Sequence, residues 1–118
     1  TNLIDQNAIV FENELCVVFV VGFPVSKGHC LIVPKRHIST YFDATLEEKK
    51  MIDDALMVMK SRIDQQYHPD GYNIGINNGQ ASGQTIFHLH VHLIPRYNGD
   101  VTNPKGGVRG VIPSKQHY

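Results

Sequence analysis

Nine residues late in the chain, Ile86-Phe87-His88-Leu89-His90-Val91-His92-Leu93-Ile94, put a histidine at every second position of an otherwise apolar run. Strand side chains alternate between two faces, whereas same-face helix neighbours recur three and four residues apart, so this period belongs to a strand. Laid out that way, His88, His90 and His92 share one face, and Phe87, Leu89, Val91 and Leu93 share the other. The apolar face requires a core to bury against. Imidazoles in register stand ~6.6 to 7 Å apart along a strand and repel one another when charged, so their alignment points to chemistry rather than to a merely satisfied surface.

The remaining segments supply the core. Ala8 to Phe11 and Leu15 to Val21 are β-rich runs flanking Glu12-Asn13-Glu14, a predicted hairpin, and Gly28 to Val33 is a third strand ended by Pro34. From Thr45 the period changes. Thr45 with Glu48 fits a capping box, and Ile52, Leu56, Met59 and Ile63 recur as one buried stripe of a helix running to about Tyr67. Met57 and Met59 read as core filler, and His68-Pro69-Asp70-Gly71 stops the helix. Tyr72 to Asn77 and Ile86 to Ile94 complete the count. The order predicts an α+β fold: a mainly antiparallel sheet of about five strands with one long helix, about 45–67. Residues 1–97 form the domain, and 98–118, rich in Gly, Pro and charge, read as an extended tail.

Length and charge narrow the function classes. At 118 residues the chain is about one compact domain. Lys plus Arg and Asp plus Glu are 11 each, so net charge attracts neither a nucleic acid polymer nor an anionic membrane. No run approaches the ~18 apolar residues of a membrane span, and no basic-then-apolar leader is visible. Cys16 and Cys30 form no CxxC pair and lie in apolar stretches, the pattern of reduced, buried thiols in a cytoplasmic protein.

The histidines admit two chemistries. His-x-His on a strand can ligate zinc, with His29 from a neighbouring strand as a further ligand. No Asp or Glu occurs between Asp70 and Asp100, however, so local sequence provides no carboxylate to orient or charge-balance an ion. The second chemistry is phosphate handling. Asn77, Asn78, Gln80, Ser82, Gln84 and Thr85 are neutral donors, and Gly79 and Gly83 let backbone N–H groups approach a ligand. A neutral imidazole is a competent nucleophile when one nitrogen is held protonated and the other is aimed at the electrophile.

The run from His88 to Ile94, preceded by Gly83-Gln84-Thr85 and followed by Pro95-Arg96, resembles the signature of the histidine triad (HIT) family of nucleotide hydrolases and transferases, in its bacterial-type hydrolases. Pro24 to His29 and Ile32 to Ile38 extend the likeness to roughly residues 8 to 97. The resemblance implies an α+β domain that pairs as a homodimer through its long helix and an adjacent strand. It implies that His90 attacks the α-phosphorus of a nucleotide to form a covalent nucleotidyl-histidine. The backbone carbonyl of His88 would fix the His90 tautomer, His92 would contact the phosphate and assist departure, and His29 would support the His88 side chain. Asn77, Gly83, Gln84 and Thr85 would bind phosphoryl and leaving-group oxygens, and Phe19 and Leu31 would line the base pocket. No metal or organic cofactor would be required.

Two departures bear on specificity. The position eight residues before His29, where the family usually has a ribose-holding Asp or Asn, is Val21. The N-terminal cysteine pair with which some relatives bind structural zinc is missing, and His92 stands where uridylyltransferases of the superfamily carry Gln. Lys35, Arg36 and His37 read as a solvated turn, and Arg96 as either a surface cation or a phosphate contact. The resulting expectation is a hydrolase of dinucleoside polyphosphates or nucleoside phosphoramidates. Its rivals are a nucleotide-binding module with little turnover and a metal-site protein.

Overall fold

A computed structural model describes residues 9–118. Five strands, β1 (Ile9–Glu12), β2 (Cys16–Val20), β3 (Cys30–Pro34), β4 (Gly71–Ile76) and β5 (Val91–Arg96), form one antiparallel sheet in the order β1-β2-β3-β5-β4. The predicted hairpin is β1 and β2, and of its expected residues Ala8 lies outside the described ones. The one long helix, α1 (Leu46–Tyr67), connects β3 to β4 and covers a single face of the sheet.

The start of α1 is built as the sequence predicts. Glu48 N–H donates to Thr45 Oγ1 at 3.1 Å and Thr45 N–H donates to Glu48 Oε1 at 2.9 Å, so two otherwise orphaned backbone donors are satisfied. Glu48 is itself buried, and Arg36 donates to both its carboxylate oxygens, Nε at 3.1 Å and Nη2 at 2.7 Å. The expected solvated turn at Lys35-Arg36-His37 is therefore only exposed, not loose: Arg36 fastens it to the helix, and Lys35 pairs with Glu12 at 2.6 Å. The helix ends at His68, whose φ of 52° breaks the spiral while its N–H still donates to Asp64.

The core lies between α1 and the sheet. Ile52, Ala55, Met59 and Ile63 meet Cys16, Val18, Cys30, Ile32, Val91 and Leu93, with Leu56 partly buried beside them. Met57 is 61 % exposed and is not core filler, because two residues is roughly 200° around a helix and puts it opposite Met59. Both cysteines are free and buried; burial pushes the Cys16 thiol up to about 11 and Cys30 to about 12, so both stay protonated and unreactive near neutral pH. Gly28, with φ of 92°, lets the chain into β3 run so close to α1 that a β-carbon there would stand 3.2 Å from Ile63 and 3.1 Å from Pro95. None of the described helices is long and apolar enough to cross a membrane.

Two expectations need correction. The strand predicted over Ile86–Ile94 enters the ladder only at Val91. Leu89, Val91 and Leu93 are buried as expected, but Phe87 is 49 % exposed. The β3 partner of this stretch runs into Pro34, which has no N–H to give, and residues 86–89 bond to the loop after it instead: Leu89 N–H donates to Ile38 O at 2.7 Å. The segment after Tyr97 is likewise no extended tail. It forms short 3₁₀ turns at Gly107–Val111 and Pro113–Lys115 that return against β4. Gly106, at φ 91°, permits this, since any β-carbon there would collide with the Gln116 carbonyl.

Candidate active site

The face of the sheet that α1 leaves open carries the polar residues. In register across β2, β3, β5 and β4 stand Phe19, Leu31, His92 and Gly75. Phe19 and Leu31 are buried in a second apolar cluster with Val17 and Val33, flanked by Ile9 and Val21. From His92 toward β4 the surface opens into a cleft of about 530 Å³ bounded by His29, His92, Asn73, Asn77 and the C-terminal turns. Gly75 forms its bare floor, with no atom within 4 Å of where a β-carbon would stand.

The hydrogen bonds fix which nitrogen of each imidazole carries the proton. His90 Nδ1 lies 2.9 Å from the backbone carbonyl of His88, and a carbonyl only accepts, so Nδ1 holds the hydrogen and Nε2 of the neutral ring keeps its lone pair. The backbone N–H of Val25 donates to His29 Nδ1 at 3.0 Å, which puts the His29 hydrogen on Nε2. His29 Nε2 lies 3.0 Å from His92 Nδ1 and donates to it, leaving the His92 hydrogen on Nε2. One backbone amide thus sets two rings, and the neighbours end up complementary: His90 with a lone pair, His92 with a donor, ring centroids 5.4 Å apart.

Burial favours the neutral form of His29, His88 and His92. Burial lowers His92 to about 4, helped by the adjacent His29 and His90, and burial also lowers His29 and His88.

The resemblance implies that His29 supports His88, but His29 reaches His92 instead, because its place just before β3 sets it beside the end of the triad that lies within the ladder. The His88 ring turns away from the cleft: it is 3 % exposed, Nε2 donates to the Pro34 carbonyl at 2.9 Å, and its face packs on His37 with centroids 4.8 Å apart. Among the described residues its Nδ1 has no hydrogen-bond partner. Sequence reasoning gave His37 no part, and no spacing rule could link it to His88; the contact depends on how the loop after β3 folds.

The donor loop is more self-contained than the sequence suggests. Gln84 is buried, its Oε1 accepting from Gly79 N–H at 2.8 Å and its amide donating to Ser39 O at 2.7 Å and Ile86 O at 3.2 Å. Its side chain braces the loop and has no hydrogen left for a ligand. Gly83 N–H is engaged by Gln80 O at 3.0 Å, and Asn78 accepts from Tyr41 N–H at 2.8 Å. Thr85 is exposed, and Asn77 stands in the cleft near His92. Among the described residues no three His, Cys, Asp or Glu side chains converge as metal ligands do.

Comparison with known proteins gives this geometry a family. Over 91 residues the chain is 38 % identical to the protein "hit" of Bacillus subtilis, covering 77 % of this chain and 63 % of that one, so it spans under two thirds of that relative. It is 36 % identical over 101 residues to a bis(5'-adenosyl)-triphosphatase of Dictyostelium discoideum, covering 86 % and 68 % respectively. A crystal structure of a HIT family protein from Bacillus anthracis superimposes with a TM-score of 0.75 at 38 % identity, covering 79 % of this chain and 66 % of that one. The HIT domain family model matches residues 4–99, and the chain belongs to the HIT family.

Proposed function

We propose that the chain is a nucleotide hydrolase that cleaves a nucleoside monophosphate from a leaving group through a covalent nucleotidyl-His90. The observation that carries this reading is the 2.9 Å contact of His90 Nδ1 with the His88 carbonyl, which leaves the lone pair on Nε2. In the first step that lone pair forms a bond to the α-phosphorus, and the bond from phosphorus to the leaving group breaks with its electron pair. His92 Nε2–H and Asn77 donate to oxygens that gather charge. In the second step water attacks the same phosphorus, and the Nε2–P bond breaks with its electron pair returning to His90. The proton the water loses goes to solvent, replacing the one the leaving group takes from solvent as it departs in the first step.

Burial keeps His92 neutral, and it still donates from Nε2 because its Nδ1 accepts the His29 hydrogen. No metal or organic cofactor enters the proposed reaction. Substrates of the proposed class are dinucleoside polyphosphates and nucleoside phosphoramidates, in keeping with the triphosphatase named among the relatives. We also propose a homodimer formed through α1 and the β4 edge, where Ile74 is 52 % exposed, and a cytoplasmic setting for the two free thiols.

The test is release of AMP or GMP from a panel of such conjugates, with chelator present. His90→Ala should lower turnover by about a thousandfold or more. Undiminished turnover in that variant removes the mechanism, and loss of activity on chelation removes its independence of metal.

A further inference from the structure

We propose that the chain carries a second ligand site, on the face of the sheet opposite the triad, and that this site takes a short, unbranched fatty acid. The site is a pocket of about 220 Å³ between the last turns of α1, the start of β1 and the end of β2. Cys30, Met59 and Ile63, all buried, form its floor, and Val10 and Val20, 39 % and 49 % exposed, form its open walls. Packed interiors leave few voids larger than a water molecule, whereas this one equals about seven water volumes of ~30 Å³, the bulk of a chain of roughly six to eight carbons. Its position keeps it separate from the rest of the chemistry. β1 is the sheet edge opposite β4, where the dimer is proposed, and Cys30 faces α1 while its neighbour His29 reaches His92.

Apolar walls accept any apolar chain, and the charge at the mouth narrows the choice. Arg62 lines the same pocket and is exposed. Its Nη1 donates to the Val10 carbonyl at 2.8 Å and its guanidinium rests over the Phe11 ring, 5.2 Å from the centroid. β1 thus holds the group at the mouth with N–H donors to spare. Glu12 on β1 and Asp64 on α1 are taken by Lys35 and Lys60, each at 2.6 Å. Among the described residues Arg62 therefore has no carboxylate partner, although its planar fork matches one. A chain that buries its methylenes over Cys30 and ends in a carboxylate satisfies walls and mouth together.

The test is calorimetry on the full wild-type chain with hexanoate, octanoate, 1-octanol and octylammonium. Affinity should rise about fourfold per methylene from hexanoate to octanoate. Octanoate should bind about fivefold tighter than octanol, and octylammonium more weakly than either. Arg62→Gln should erase the advantage of octanoate over octanol, whereas Arg62→Lys, which keeps the charge, should retain most of it. Val20→Gln, at a half-exposed wall position that the fold tolerates, should weaken octanoate and octanol alike by about fivefold. Saturating AMP should leave octanoate affinity within about twofold. Absence of octanoate binding at millimolar concentration, equal affinity for octanoate and octanol, or an advantage that survives Arg62→Gln overturns the proposal. Displacement of octanoate by AMP overturns it too, because the acid would then sit on the histidine face. So does binding that appears only after deletion of residues 1–8, because the chain would then fill the pocket itself.

Discussion

The two faces of one sheet do opposite things with the same backbone. Under α1, Cys16, Val18, Cys30, Ile32, Val91 and Leu93 interlock with the helix and carry no group that titrates near neutral pH. On the other face the residues alternating with these divide: Val17, Phe19, Leu31 and Val33 pack as a second apolar cluster, whereas His92 is part-buried and held by its hydrogen bond to His29. The closed face supplies stability, and its rigidity fixes where the imidazoles stand. The part of the open face around His92 has little stability to give, since its histidines are desolvated and its cleft exposes valines. Strand alternation keeps the two roles one residue apart.

Substitutions on either face should break this division unequally. Leu93→Ala removes a fully buried side chain and should destabilise the fold by about 3 kcal/mol in denaturant titration, while turnover per folded molecule stays near wild type. Glu48→Gln takes the carboxylate from both the capping box and Arg36 and should cost about 1–3 kcal/mol, again with the cleft unchanged.

The open face should reveal itself through pH. His92, His29 and His88 are all lowered below 6.5 in the folded chain, so the unfolded chain binds more protons between those values. Their neutral forms contribute fully above about pH 6.5, and stability should fall as pH drops toward 4. His92→Asn should flatten that fall, measured as the unfolding midpoint against pH; an unchanged slope would show that the imidazole is not desolvated as described.

Where the sequence was sufficient, local rules governed. The hairpin, the capping box at Thr45 and the stripe from Ile52 to Ile63 follow from periodicity and cap chemistry, and tertiary contacts only reinforce them. The bond from His90 to the His88 carbonyl was implied by family likeness, and it links residues two apart. The misses share a different origin. Phe87 left the core because Pro34, far away in sequence, cannot extend the ladder, and His29 found His92 through strand register. Gln84 looked like a ligand donor because composition cannot show that Gly79, Ser39 and Ile86 would use all its capacity. The C-terminal turns have no period to read; Gly106 closes on Gln116 at one place and Arg96 bonds to Asn73 and Asp100 at another.

The central claim is that the His88 carbonyl turns His90, and not its neighbour His92, into the nucleophile. The direct measurement is rapid quenching of the wild-type chain during turnover of a substrate labelled at the α-phosphate, followed by mapping of the label. The account predicts an acid-labile, base-stable phosphoramidate on His90 that forms and decays at rates consistent with turnover and is missing in His90→Ala. Label on His92, or steady turnover with no labelled protein at any quench time, would contradict it.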